Sequence, residues 1–282
     1  MEEIALTTED GAKLAATLFE SNAAHHGDGP LVLISSATAV RRTFYRHFAQ
    51  FVADAGARAV MTYDYRGIDK PLPGSAARAA RAADWATKDF PAAVRELLRR
   101  HPGARLNGIG HSFGGQALGL SGMAPKFSRY MTICAGSGWL GHTRERDRLH
   151  RRMNWVGGPL AAVLGNLPAW SGFGVPLPSG VFQQWRRWCN ARDYFMSDPD
   201  VPETKRFAEV RIAMMAVGFD DDPWMTRESV ADLMAWYSNA DIRLRWFSRE
   251  ESGGEVGHFG FFRPEHRETL WPQISDWLVH TR

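Results

Sequence analysis

Apolar positions along this chain follow two periods that take turns. Residues 4–8 and 13–20 alternate apolar and polar side chains around Asp10-Gly11, which predicts two strands joined by a turn. Residues 31–34, Leu-Val-Leu-Ile, are a continuous apolar run, as a strand buried on both faces requires. Phe44, Phe48, Phe51, Val52 and Ala55 then fall at helical spacing and stop at Gly56. The rhythm repeats: a strand over 58–64, an amphipathic helix over 84–100, a strand over 105–110, a helix of small residues over 114–123 and a strand over 130–135. It breaks between residues 136 and 209, where no clear strand pattern exists and five of the eleven tryptophans fall. It resumes with a strand over 211–217, a helix over 227–237, a strand over 242–247 and a closing helix over 267–280. Strands alternating with helices predict an α/β fold, a mostly parallel central sheet with helices on both faces. Residues 1–135 and 210–282 form its core, and residues 136–209 are an insertion.

Composition narrows the class. A chain of 282 residues, 44% hydrophobic and 23% charged, is globular and long enough for a sizeable core. The net charge of +3 is small. The densest basic run, 144–152, is interrupted by Glu145 and Asp147 and reads as a solvated helix face, so nucleic acid is not an expected partner. Cys134 and Cys189 match neither a disulfide framework nor a metal motif, and Cys134 reads as a small buried hydrophobe. The acidic start Met1-Glu2-Glu3 is no signal peptide, and a cytoplasmic location is expected. Residues 153–185 carry no charge and are long enough to span a bilayer, but ten glycines and prolines preclude a continuous spanning helix. A lipid surface is a weaker expectation for this stretch.

The chemistry centres on Gly110-His111-Ser112-Phe113-Gly114-Gly115, a G-x-S-x-G pattern between an apolar strand and a small-residue helix. A serine on so tight a turn projects above the carboxyl end of the sheet. Its hydroxyl needs a base, and His258 follows the 242–247 strand through a glycine-rich loop that returns to the same edge. His111 reads as a packed or hydrogen-bonding neighbour. The base needs an acid, and Asp220-Asp221-Asp222 directly follow the 211–217 strand. The residues alone leave open which of the three serves.

The order Ser112, Asp222, His258, with Asp64-Tyr65-Arg66-Gly67 after the fourth strand, resembles the α/β-hydrolase superfamily along nearly the whole chain. The segment Gly257-His258-Phe259-Gly260-Phe261-Phe262-Arg263 is similar to a bacterial branch of predicted hydrolases. That resemblance implies Ser112 as nucleophile, His258 as base and Asp222, with Asp221 as second choice, as acid. It implies backbone N–H donors from Phe113 and from the loop after the third strand, Ala37 first and Thr38 second. Ser35-Ser36 stands there where many relatives have His-Gly. It implies that Asp64 and Arg66 tie down their loop, and that residues 136–209 form a helical cap after the sixth strand, its aromatics offering an apolar wall. The expected function is hydrolysis of a carboxylic ester or thioester, a small molecule with an apolar part, through an acyl-enzyme. An acyltransferase with the same nucleophile, or a ligand-binding protein on an inactive fold, are the alternatives. A serine at 112 argues against the dehalogenases and epoxide hydrolases, which carry a carboxylate there. No cofactor and no metal are expected, since no HExxH, P-loop or GxGxxG after a first strand is present.

Overall fold

The computed structural model describes residues 1–20 and 28–280. Eight strands form one sheet: β1 (Glu2–Thr7), β2 (Lys13–Phe19), β3 (Leu31–Ser35), β4 (Ala59–Tyr63), β5 (Leu106–His111), β6 (Arg129–Ile133), β9 (Ala213–Phe219) and β10 (Asp241–Phe247). Two-residue strands β7 (Asn166–Leu167) and β8 (Leu177–Pro178) pair apart from it. The spatial order is β1-β2-β4-β3-β5-β6-β9-β10. Within this sheet the β1–β2 and β2–β4 pairs are antiparallel and the remaining pairs parallel. The central strands β3 to β6 are buried along their whole length, so their sequences do not alternate apolar with polar, and the buried polar side chains Asn107 and Arg129 donate to the backbone carbonyls of Leu278 and Trp277.

The helices are α1 (Arg46–Asp54), α2 (Gly74–Ala79), α3 (Ala82–Asp84), α4 (Phe90–Arg100), α5 (Phe113–Ser121), α6 (Arg146–Arg151), α7 (Gly158–Leu164), α8 (Ser179–Asn190), α9 (Arg227–Trp236) and α10 (Trp271–Val279). Two hydrophobic clusters cover the sheet's two faces. One includes Phe90, Leu118 and Phe207, the other Phe48, Phe262 and Trp271. Two helices widen into π-turns, over Trp85–Asp89 and over Arg152–Gly157. Each lies just ahead of a proline, Pro91 and Pro159. A proline supplies no N–H and its ring collides with the preceding turn, so the ladder opens to let it in.

The strand expectations agree with these elements to within a few residues. Helix α2 and the short β7–β8 pair were not evident from the pattern. The closing helix starts at Trp271, because residues 264–266 form a 3-10 turn begun by Pro264. Both Asp64 and Arg66 hold their loop. Asp64 accepts the Arg42 N–H at 2.7 Å and pairs with its guanidinium. Arg66 joins buried Asp89 at 2.6 Å to Asp10 of the β1–β2 turn at 2.8 Å. Among the described residues no helix is long and apolar enough to cross a membrane.

Candidate active site

Ser112 occupies the turn between β5 and α5 with φ 51° and ψ −112°, a conformation that a side-chain-bearing residue adopts at a cost. The turn is possible because its neighbours lack side chains. A Cβ on Gly110 would lie 2.3 Å from the Gly114 carbonyl, and one on Gly114 would lie 2.3 Å from the Ser35 carbonyl oxygen. Helix α5 thus starts almost in contact with β3. The amide of Phe113, first residue of α5, has no intrahelical acceptor.

His258 comes to the same cavity as Ser112 from the loop after β10. Its Nδ1 is 2.8 Å from Asp222 Oδ2. The other Asp222 oxygen accepts the N–H groups of Trp224 (2.8 Å) and Met225 (3.0 Å). Burial pushes this carboxyl's pKa up, but His258 and the two amides outweigh it and hold it below the ordinary value. The three consecutive aspartates have three separate sets of partners. Asp221 accepts the N–H groups of Val256 (2.7 Å) and Gly257 (2.9 Å), fixing the loop that carries His258. Asp220 faces outward, paired with Arg227 at 2.9 Å and hydrogen-bonded by the Trp246 indole.

His111, beside Ser112, is a packed and hydrogen-bonding neighbour, as its place next to the turn led us to expect. It is fully buried between Tyr45 and His258. Its Nε2 is 2.8 Å from the His258 carbonyl oxygen, and its Nδ1 is 2.8 Å from Tyr45 Oη. A carbonyl only accepts, so Nε2 carries the proton and Nδ1 accepts from the phenol. Tyr45 Oη in turn accepts the Ala37 N–H at 2.9 Å. One directed chain of hydrogen bonds thus joins the loop after β3 to the loop after β10. Burial, aided by the neighbouring His258, lowers the His111 pKa to about 3, so the ring is neutral. The chain also engages the Ala37 amide, the first-choice backbone donor. The adjacent Thr38 amide, which lines the cavity, has no acceptor among the described residues.

The cavity has a volume of ≈ 340 Å³. One wall is Ala37–Val40, Ser112, Phe113, Trp224, His258 and Phe259. The opposite wall comes from the segment between β6 and β9: Trp139, Leu149, Met153, Phe173, Trp185 and Tyr194. The aromatics of that segment serve different ends. Trp139, Phe173 and Trp185 face the cavity, Phe182, Trp188 and Phe195 are fully buried, and Trp155 and Trp170 are exposed. Cys134, also at positive φ (47°), places its Sγ within 4.8 Å of donor atoms of Asp222 and His258. Burial, then Asp222, push the thiol pKa far up, so it stays protonated, and both other groups are engaged with each other; the trio is poorly suited to a metal ion.

Comparison with known proteins agrees with this architecture. The model of the alpha/beta hydrolase family matches residues 26–267, and the chain belongs to that family. No curated protein sequence matches it. The fold is similar to that of the esterase Pf2001 from Pyrococcus furiosus, with 16% identity, a TM-score of 0.62, and 98% and 90% of the two chains covered. It is similar to a putative aryl esterase from Burkholderia cenocepacia, with 16% identity, TM-score 0.62, and 98% and 97% covered. It is also similar to Est1E from Butyrivibrio proteoclasticus, solved with ferulic acid, with 15% identity, TM-score 0.61, and 96% of each chain covered.

Proposed function

We propose that the protein hydrolyses a carboxylic ester or thioester through an acyl-enzyme on Ser112. The observation that carries this reading is the convergence, on one cavity, of a serine held at positive φ and a histidine whose Nδ1 is hydrogen-bonded to a buried carboxylate. Ser112 Oγ attacks the carbonyl carbon while His258 Nε2 takes its proton. Asp222 holds the imidazole in the needed tautomer and balances the imidazolium charge. The tetrahedral oxyanion is met by the amides of Phe113 and Thr38. Thr38 takes the place of Ala37 because Ala37 donates to Tyr45. The leaving alcohol or thiol receives the proton from His258. Water then attacks the acyl-enzyme carbonyl, giving a proton to His258; the acyl–Oγ bond breaks, His258 returns that proton to Ser112 Oγ, and the acid is freed.

In this reading residues 136–209 are a cap on a core made of residues 1–135 and 210–282, and the aromatic walls suit a substrate with an apolar acyl or alcohol part. The aryl esterase and the ferulic-acid complex among the neighbours support an aromatic substituent as the first to try. The test compares wild type with Ser112→Ala on p-nitrophenyl esters of increasing acyl length and on methyl ferulate. Turnover by wild type that falls on the order of 10⁶-fold in Ser112→Ala, with a fluorophosphonate labelling Ser112, is expected. Wild type that neither turns over nor is labelled would sink the proposal.

A further inference from the structure

We infer that the outer face of residues 146–170 docks the protein on an anionic lipid surface. Helix α6, a π-turn and α7 run on without a break as one helical rod. The exposed side of this rod begins with Arg146, Arg148 and Arg151. From Trp155 to Leu164 every residue is apolar or glycine. Even so, Trp155 and Val163 are each 76% exposed. Trp170, in the turn that follows, is 73% exposed. Of the seven large hydrophobic side chains exposed among the described residues, five lie between 155 and 170. They are therefore a patch rather than a scatter. Arg148, Arg151, Trp155, Pro159 and Val163 recur every three or four residues, so charge and apolar surface share one side of the rod. A monomer in water seldom keeps such a face uncovered.

The surrounding charge selects the occupant. Residues 148–192 contain no aspartate or glutamate. The nearest carboxylates on the chain, Glu145 and Asp147, flank the first arginines of the rod; Glu145 pairs with Arg148 at 2.9 Å, whereas Arg146 and Arg151 have no carboxylate partner among the described residues. Beyond its C-terminal end, the exposed Arg78 guanidinium approaches to 3.7 Å from where a Cβ of Gly165 would stand. A second copy docked about a two-fold axis would set arginine rim against arginine rim. Anionic headgroups neutralise that rim, tryptophan settles at headgroup depth, and arginine reaches up to phosphate from an apolar base. The rod's inner side carries Leu149, Arg152 and Met153 into the wall of the Ser112 cavity. Docking would thus hold the cavity beside the lipid.

Co-sedimentation with vesicles tests this directly. The full-length protein is expected to bind phosphatidylcholine vesicles containing phosphatidylglycerol, and to bind pure phosphatidylcholine weakly. Trp155→Ser with Trp170→Ser should lower the partition coefficient about tenfold or more, since two exposed rings lose their burial. Arg146→Glu with Arg151→Glu, and separately added salt, should weaken binding to the anionic vesicles only. Ser112→Ala should bind as wild type does, which keeps this outcome independent of turnover. Circular dichroism checks that each variant is folded, as expected for substitutions at exposed positions. Wild type that ignores anionic vesicles, or binding that neither pair alters, would overturn the inference. So would a concentration-dependent dimer by light scattering that Trp155→Ser dissolves while vesicles remain unbound; the face would then belong to a second copy.

Discussion

His111 ties two loops together and stays neutral because burial, then the nearby His258, hold its pKa near 3 against an ordinary 6.5. Between those values the unfolded chain binds a proton that the folded chain refuses. The stability that this site supplies is therefore complete above pH 6.5 and is lost as pH falls toward 3, at up to about 1.4 kcal/mol per pH unit. His111→Gln keeps an amide donor for the His258 carbonyl and removes the titration. Chemical denaturation at a series of pH values should show the wild-type advantage over His111→Gln shrinking on acidification from pH 7 to 5. An advantage that stays constant or grows would mean that the ring is not neutral in the fold. Sequence pointed to Ser112 and His258 because strand, turn and glycine signals surround both. It left Asp220, Asp221 and Asp222 unresolved, since three adjacent acids on one loop differ only in where the turn aims each side chain. Nor does anything in the chain's order reveal that the Ala37 amide donates to Tyr45 Oη.

Helix α5 shows how an element can be legible in outline and hidden in its supports. Its small residues predict close packing, and Phe207 fills the space that a Cβ on Gly119 would need, 2.3 Å from that point. What the pattern does not reveal is Tyr237, buried at the end of α9. Its hydroxyl accepts the Gly119 N–H at 3.0 Å and donates to the Gly115 carbonyl at 2.6 Å. These are the two groups that the helix ladder pairs with each other, and the phenol contacts both. Tyr237→Phe removes that buried hydroxyl's two hydrogen bonds, at a cost of about 1–3 kcal/mol. Urea denaturation measures it, and a change within error would mean that the helix's own ladder satisfies both groups. The two π-turns belong to the same lesson. Pro91 and Pro159 mark where a helix is disturbed, but the pattern alone does not show that each helix continues past its proline through a π-turn.

At the scale of the whole molecule, the site lies along a seam. The carboxyl ends of β3 and β5 and the loop after β10 bring Thr38, Ser112 and His258 to one side, with Asp222 after β9 behind His258, and side chains from the segment between β6 and β9 line the other. The parallel order of the sheet made the first half readable from alternating strands and helices. The second half was not, because an aromatic that cements a segment and one that lines a cavity look alike in sequence. The structure separates them, and two substitutions in one helix exploit this. Trp188 is fully buried and packs edge-on against Phe195, which stacks on Phe207 over α5. Trp185, one turn earlier in α8, is half-buried and borders the cavity with Phe173. Trp188→Ala should cost about 3–5 kcal/mol, as an aromatic removed from a closed core does, and should lower turnover of short and long esters alike. Trp185→Ala should cost less, because its ring already faces open space, and it should enlarge the cavity. Its kcat/KM profile should move toward longer or bulkier acyl groups, measured across the p-nitrophenyl ester series beside urea denaturation of both variants. If the two variants lose equal stability and leave the length profile unchanged, the cavity between core and insertion is not where the substrate's apolar part resides.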